Sequence, residues 1–297
     1  MTSSNHENDR ELQQDARAWA DFTECTYTAA LGQMKSPLAR GFLGERVSAR
    51  QLISTLEDHA LVGRSGGEPV LGKWGFRPKD TWKFNKEDDY VLLALITDTL
   101  RMFTPLDESA TPEVGSYSLK HTVEDFLKST DIGFSYVSNG QLIWAAAALG
   151  LPLAMPEPDY DGPNCEVGIP EPEHGYLYKM VRQGQTRPEG HHYRPPGFEH
   201  LQEALRQCAA GEPVGERWVR SEPTNESNPF HDWLVEQADR GDTVGDVASD
   251  YAAGIRDSYH RIARSPEDLL AILDETPGSW EARRSAEEAG EEWSRLR

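Results

Sequence analysis

Cysteine is scarce in this sequence of 297 residues, and its three cysteines, Cys25, Cys165 and Cys208, lie far apart. No two of them form a CxxC pair, so the sequence supports neither a zinc ribbon nor a disulfide framework. Long apolar runs are also missing, and the longest one, Leu142–Leu149, is far too short to cross a bilayer. Residues 1–14 are polar and lack the layout of a signal peptide. These absences predict a cytoplasmic protein in reducing surroundings, with no membrane partner.

Positive charge is in short supply. Lys and Arg total 30 against 50 Asp and Glu, which gives a formal net charge of -20. A broad basic surface for a phosphate backbone is therefore absent. The acidity has two interpretations that the sequence leaves open: it keeps the protein soluble in a crowded cytosol, or it forms a surface that mimics nucleic acid and docks on a basic partner.

Common catalytic signatures are absent as well. The sequence contains no GxGxxG, GxSxG or HExxH motif. The segment Gly67–Trp74 has the GxxxxGK spacing of a phosphate-binding loop, but Trp74 stands where that loop needs a Ser or Thr to hold Mg²⁺. We therefore predict no catalytic, cofactor-binding or metal-binding residues, and we favour a protein that is not an enzyme.

Three groups of polar residues keep other chemistry open. His121, Glu124 and Asp125 share one face of a predicted helix, where they could transfer a proton, bind a metal or simply form a solvated polar face. A second group, Glu57–His59, is weaker because adjacent residues point different ways around a helix. The pair at 191–192 consists of two histidines that could bind a transition metal, although no partner fixes their rings.

Hydrophobic residues make up 37% of the chain and eight tryptophans are present, so a packed core is feasible. Apolar periodicity predicts mostly helices, with short strands at Val70–Phe76 and Cys165–Ile169. Two segments, Lys86–Phe103 and Leu142–Leu149, have almost no polar face and should form central, buried helices. The predicted fold class is mostly α with minor β: a helical N-terminal module with a few short strands, followed by a C-terminal four-helix bundle.

Several serines and polar residues mark helix starts. Ser48 is placed to cap a helix, and Gln51 three residues later would complete a capping box. The stretch Ser138-Asn139-Gly140, before the second buried segment, could be a functional loop, but helix capping also explains it.

Stretches rich in proline and glycine divide the predicted helices into modules. We predict a flexible tail at 1–14, an N-terminal helical module at 15–186, a linker with one helix at 187–227, and a helical domain at 228–297. Lysine usage agrees with a change of module, since no Lys follows Lys179 while Arg continues to the end.

The segment after residue 227 has clear helix-start signals. Asn228 is a good N-cap, Pro229 suits the first helical position, and Asp242 can cap the next helix. Two further helices follow, one starting at a Ser-Pro pair and one running from Trp280 to Leu296. The four short helices predict a compact bundle.

This segment is similar to the YozE SAM-like domain through the pattern F-x-x-W-L followed by D-x-V-G-D-x-A-x-D. The matching residues are Phe230, Trp233, Leu234, Asp242, Val244, Gly245, Asp246, Ala248 and Asp250. The resemblance covers about residues 228–297. It implies a helical fold that binds protein or nucleic acid, and it implies nothing about catalysis. Most of the matching residues are the types that also serve as helix caps and core positions.

One stretch combines basic and aromatic residues. Its candidate partner-binding residues are Trp74, Arg77, Trp82, Lys83, Phe84 and Lys86. Aromatic stacking together with cation attraction is how many proteins hold single-stranded nucleic acid. The alternative is a short hairpin that packs its rings on the buried helix that follows and leaves lysines at its edges.

These observations predict a non-enzymatic cytoplasmic interaction or regulatory protein. Its partner would be another protein, or a nucleic acid bound through the basic and aromatic stretch. Two alternatives stay open: an acidic decoy or defence-related protein that occupies a DNA-binding partner, and an enzyme of unrecognised type.

Overall fold

The structure, a computed structural model, describes residues 3–76, 82–107, 109–157, 160–186, 188, 191–218, 228–258, 262–275 and 280–296. Within these ranges the chain is mostly α-helical with a small β-sheet, which confirms the predicted fold class of mostly α with minor β. No helix in the same ranges is both long enough and apolar enough to cross a membrane. The α-helices are α1 (Ser3–Thr23), α2 (Tyr27–Met34), α3 (Ala49–Asp58), α4 (Asp89–Arg101), α5 (Ser116–Ser129), α6 (Asn139–Ala148), α7 (Glu171–Val181), α8 (Phe198–Ala210), α9 (Pro229–Glu236), α10 (Thr243–Ser258), α11 (Pro266–Glu275) and α12 (Trp280–Arg295).

The sheet has three antiparallel strands of two residues each: β1 (Val114–Gly115), β2 (Leu153–Ala154) and β3 (Glu166–Val167). Strand β3 lies in the middle, with Val167 opposite residues of both neighbours. The strand predicted at Cys165–Ile169 is therefore present in shortened form. The strand predicted at Val70–Phe76 is wrong, because that segment folds back on itself in a tight turn instead of pairing with the sheet.

Helices α4 and α6 form the centre of the first hydrophobic core. Every residue of α4 from Asp89 to Leu100 is buried, and so is the apolar part of α6. Both helices are apolar on all sides, so neither can lie at the surface. Trp144 of α6 is wholly buried, and its indole N–H donates a hydrogen bond to the carbonyl of Leu52 at 2.7 Å. The two predicted central helices are confirmed.

Two segments that the sequence placed outside the modules are helical parts of this unit. Helix α1 begins at Ser3, well before the apolar periodicity starts, so residues 3–14, expected as a flexible tail, continue the helix. Helix α8, expected in a linker, buries Phe198, Leu201 and Leu205 in the first core. An amphipathic pattern predicts a helix but does not say which surface covers its apolar face.

Asp98 of α4 is a fully buried carboxylate that anchors a distant loop. Its Oδ2 accepts a hydrogen bond from the N–H of Phe42 at 2.9 Å, and its Oδ1 accepts one from the N–H of Leu43 at 3.0 Å. The Nη1 of Arg101 lies 3.7 Å from Oδ1. Burial raises the pKa of the Asp98 carboxyl, while these three neighbours lower it. A buried charge persists in a fold when its oxygens are partnered in this way.

The last four helices share a second hydrophobic core. The first two of them start as predicted: the Oδ1 of Asn228 accepts hydrogen bonds from the N–H groups of Phe230 and His231, each at 3.0 Å. At the start of α10, the Oδ1 of Asp242 accepts one from the N–H of Gly245 at 3.0 Å. These caps satisfy amide groups that a helix start would otherwise leave without partners.

Polar side chains connect this second unit to the first. The Nδ1 of His192, in a 3-10 turn at His191–Tyr193, lies 2.9 Å from the Oγ of Ser249 in α10. Its Nε2 lies 3.2 Å from the Oδ1 of Asp239, which also accepts a hydrogen bond from the Tyr193 hydroxyl at 3.0 Å. His192, one of the two histidines considered as metal ligands, thus takes part in a contact between the units.

Protonation of the buried imidazole of His174 in α7 is expected to destabilise the fold in acid. Burial lowers the pKa of its imidazole from 6.5 to about 4, and its Nε2 lies 3.0 Å from the Oγ1 of Thr122. The unfolded chain restores the ordinary pKa, so the contribution of the neutral ring is complete above pH 6.5 and is lost as the pH falls towards 4. We expect roughly 3 kcal/mol of unfolding free energy to disappear across this window. Denaturant titrations at several pH values check it, and an equal pH dependence in His174→Gln would refute it.

Candidate functional site

The turn Gly72–Gly75 is the most tightly held part of the basic and aromatic stretch. Its two end residues exchange backbone hydrogen bonds at 2.9 and 3.1 Å, and the N–H of Gly140 donates to the carbonyl of Lys73 at 3.0 Å. A Cβ added at Gly140 would lie 2.0 Å from a turn carbonyl, and one at Gly75 would lie 1.9 Å from the carbonyl of Pro163. The backbone therefore packs closely against the start of α6, and the segment does not form the phosphate-binding loop that its GxxxxGK spacing resembles.

Trp74 stands at the tip of this turn and is 51% exposed. The Nζ of Lys73 lies 5.4 Å from the centroid of its ring, within the range of a cation–π contact. Because the backbone on both sides is fixed, the ring has little backbone freedom to lose when it is covered. Trp74 is thus a pre-positioned aromatic group on the surface.

Trp82 and Phe84 occupy a different environment. Their rings stack on each other with centroids 6.0 Å apart and planes at 6°. Trp82 also lies 5.1 Å from the Trp144 ring and donates its indole N–H to the carbonyl of Leu71 at 3.1 Å, while Phe84 lies 5.9 Å from the Trp19 ring. The structure therefore places both rings on the core, against α6 and α1, where their faces are largely covered.

The basic residues of the stretch also separate into two kinds. Lys86 is fixed: its Nζ donates to the carbonyl of Glu24 at 3.0 Å, and its own carbonyl accepts a hydrogen bond from Gln33 at 3.2 Å. Lys83 is exposed and forms no ion pair with the part of the chain that the structure describes. Arg77, the remaining predicted residue, lies outside the described residues.

Beside the turn is a cleft of about 280 Å³, here called the Asp89 cleft. Three separate segments line it, at 73, 82–92 and 133–141, and they bring aromatic side chains and polar or charged side chains together. Its lining residues are Lys73, Trp82, Lys83, Phe84, Asn85, Asp88, Asp89, Leu92, Gly133, Phe134, Ser135, Tyr136 and Gln141. A concave site in which aromatic surface meets several converging polar groups is a candidate for binding a small ligand.

Asp89 is the polar residue that distinguishes this cleft. It is 8% exposed, and its Oδ2 accepts hydrogen bonds from the N–H groups of Asn85 at 2.5 Å and Lys86 at 3.1 Å. Its Oδ1 accepts no hydrogen bond from the residues that the structure describes. Burial raises the pKa of the Asp89 carboxyl, whereas the two N–H donors and the nearby Lys73 lower it.

Sequence reasoning missed Asp89, since an acidic residue at a helix start is ordinarily a cap. The available signal was a pair of acids, Asp88 and Asp89, placed between an aromatic stretch and a wholly apolar helix.

The structure brings His121 and Glu124 together, as one interpretation of the sequence required. The Oε2 of Glu124 lies 2.7 Å from the Nδ1 of His121, and its Oε1 accepts hydrogen bonds from the Nζ of Lys120 and the N–H of Val137, each at 2.9 Å. Asp125 does not join them and forms an ion pair elsewhere. Glu124 thus fixes the loop before α6, and none of these side chains lines the Asp89 cleft.

A second candidate group, Glu57–His59, lies at the C-terminal end of α3. The Nδ1 of His59 accepts hydrogen bonds from the N–H groups of Leu61 at 3.2 Å and Val62 at 3.4 Å, and burial lowers the pKa of its ring. A ring nitrogen used in this way stabilises a turn. The segment is not part of the lining of the Asp89 cleft either.

Over the described part of the chain, no group of three or more His, Cys, Asp or Glu side chains is placed to hold a metal ion. No protein-family model, no curated protein and no solved structure matches this chain. The resemblance of the last helices to the YozE SAM-like domain therefore stays a prediction, and function has to be argued from the geometry of the surface.

Proposed function

We propose that this chain is a non-enzymatic interaction protein that binds a protein partner through a surface consisting of Lys73, Trp74, Lys83 and Tyr136, here called the Trp74 surface. The observation that carries the proposal is the half-exposed Trp74 ring on a turn whose backbone is locked against α6. Tryptophan and tyrosine are the residues that most often dominate binding energy in protein interfaces. Tyr136 is 47% exposed and lines the same cleft as Lys73.

A protein fits this surface better than a single-stranded nucleic acid. Successive bases need open aromatic faces on which to stack. Trp82 and Phe84 stack on each other and on core rings, so only the parts of these rings that line the Asp89 cleft are open, and Trp74 is the half-exposed ring of the predicted stretch. A net charge of -20 also repels a phosphate backbone.

The C-terminal helices also support a role in binding a partner. Their resemblance to the YozE SAM-like domain implies recruitment of a partner, and Trp280 at the start of α12 is 69% exposed. The decoy alternative needs an acidic surface free to face a basic partner. Several acids of α12 are instead paired with arginines, as Glu287 is with Arg283 and Glu291 with Arg295. We therefore propose an interaction protein in preference to a decoy.

Trp74→Ala is expected to abolish capture of the partner. Removing a tryptophan anchor costs about 2 kcal/mol or more at an interface, which weakens the Kd by at least about thirtyfold. The test is affinity capture from native lysate with the full chain, after nuclease treatment and at two salt concentrations, followed by a Kd measured on the purified partner.

Trp280→Ala is the matched control, since it removes an equally large exposed ring from the other unit. Retention by this variant, together with loss by Trp74→Ala, supports the proposal. Loss of the partner by Trp280→Ala and retention by Trp74→Ala would indicate that the C-terminal helices bind the partner. A partner that disappears on nuclease treatment would favour nucleic acid, and a basic enzyme released by salt would favour the decoy alternative.

A further inference from the structure

The Asp89 cleft offers opposite charges to one small ligand. The Oδ1 of Asp89 accepts no hydrogen bond from the part of the chain that the structure describes, and the residue is more than nine-tenths buried. Lys73 and Lys83 line the same cleft, and neither forms an ion pair with a described residue. The Oδ1 of Asp89 faces the open cleft, so a ligand ammonium group can replace solvent there and form a charge-assisted hydrogen bond with it.

The size of the cleft limits what can enter. Its volume of about 280 Å³ is at the lower end of the range for small-molecule sites, so it suits a ligand smaller than a nucleotide. Phe84, Phe134 and Tyr136 provide apolar walls. A compact ligand with an apolar side chain would cover these rings and keep water away from the charged groups, which strengthens their interaction.

We propose that the Asp89 cleft binds a free α-amino acid with an apolar side chain. Its ammonium group donates to the Oδ1 of Asp89, its carboxylate faces Lys73 and Lys83, and its side chain packs on the aromatic walls. A phosphate or simple carboxylate would face Asp89 without a partner. A simple amine would pair with Asp89 but would give the two lysines no counter-charge.

The Asp89 cleft shares Lys73, Lys83 and Tyr136 with the Trp74 surface, but the two proposals depend on different central residues. The amino-acid proposal concerns the interior of the cleft, where Asp89 is the central residue, whereas the proposed function depends on the exposed ring of Trp74. If the chain bound amino acids but captured no protein, the amino-acid proposal would hold and the proposed function would fail. If it captured a protein but bound no amino acid, the proposed function would hold and the amino-acid proposal would fail.

Isothermal titration calorimetry of the full chain tests the proposal with four probes: L-phenylalanine, L-phenylalanine amide, phenethylamine and 3-phenylpropionate. We expect saturable binding of the amino acid and a Kd at least about tenfold weaker for each analogue, because each lacks one of the two charged groups. Equal binding of the amide would point to the N-terminus of a peptide instead. Equal binding of any analogue, or no binding by L-phenylalanine, L-leucine and L-methionine, would overturn the proposal.

Asp89→Asn locates the site. The amide oxygen can still accept from the N–H groups of Asn85 and Lys86, so the start of α4 is kept while the charge is removed. We expect at least about a tenfold loss of amino-acid affinity with an unchanged circular dichroism spectrum. Glu87→Gln, which removes an exposed neighbouring carboxylate outside the cleft, should bind as the wild type does.

Lys73→Gln gives a second, separate readout. The turn uses the carbonyl of Lys73 and not its side chain to bind Gly140, so its backbone contacts are kept. The variant should lose affinity for L-phenylalanine but not for phenethylamine, which has no carboxylate. Unaltered binding of L-phenylalanine by both Asp89→Asn and Lys73→Gln would place the ligand elsewhere and refute the proposal.

Discussion

Trp144→Ala is expected to lower the free energy of unfolding by about 3–5 kcal/mol, the range for removing a large aromatic side chain from a packed core. Trp144 is wholly buried, and its ring lies 6.1 Å from that of Trp19 and 5.1 Å from that of Trp82. The substitution also leaves the carbonyl of Leu52 without its 2.7 Å hydrogen bond. Denaturant titration followed by circular dichroism measures the loss.

The same substitution should alter the Asp89 cleft, because Trp82 and Phe84 rest on Trp144 and form part of the wall. Trp144→Phe separates packing from hydrogen bonding, since it keeps an aromatic ring and removes the indole N–H. Trp74→Ala is the control for an exposed tryptophan and should change stability by no more than about 0.5 kcal/mol. If Trp144→Ala and Trp74→Ala were equally stable, the central position of α6 would be incorrect.

Asp98→Ala is the second substitution with a large expected effect, a loss of about 3–5 kcal/mol. It strands the buried N–H groups of Phe42 and Leu43 and removes the carboxylate beside the guanidinium of Arg101. Each of these groups then carries its desolvation cost with no compensating partner. Thermal and denaturant unfolding of the full chain provide the measurement.

Asp98→Asn tests whether the charge or only the acceptors matter. It keeps one oxygen acceptor but places an amide N–H₂ against a backbone donor, so an intermediate loss of about 1–3 kcal/mol is expected. Amide hydrogen exchange should rise at both Phe42 and Leu43 in Asp98→Ala, and at one of the two in Asp98→Asn, because the amide keeps a single acceptor. An Asp98→Ala protein within about 1 kcal/mol of the wild type would show that the loop is held by other contacts.

Local chemistry made several features predictable from the sequence. Ser138 caps α6 as expected, and Gln141 completes a capping box with hydrogen bonds in both directions, at 3.0 and 3.2 Å. Asn228 caps α9 by the same rule. A cap depends on residues within three positions of each other, so the sequence contains all the information it needs.

The capping box expected at Ser48 forms only in part. The Oγ of Ser48 does accept the N–H of Gln51 at 3.1 Å. The Gln51 side chain, however, donates to the carbonyl of Ala148 at 2.8 Å instead of turning back to the cap. A residue nearly one hundred positions away competes for the same donor, and no local pattern reports that competitor.

Tertiary packing also decides which residues of the basic and aromatic stretch are exposed and which are packed on the core. Trp74 and Trp82 are equivalent in any local pattern, yet the first is half exposed and the second lies on Trp144. Similarly, Lys83 is exposed and forms no ion pair with a described residue, while the side chain of Lys86 donates to the carbonyl of Glu24. Which aromatic rings and lysines remain available for a partner was decided by helices far away along the chain.

The sequence by itself determined the helical class, the two buried central helices, the caps that begin several helices and the absence of common catalytic motifs. All of these follow from spacing over a few residues, or from composition. The tertiary structure decided the rest: that α8 belongs to the first core, that Glu124 fixes a loop, and that three distant segments enclose Asp89. The reason is physical, since a cleft and a buried charge are defined by neighbours in space, and those neighbours are set only when the helices pack together.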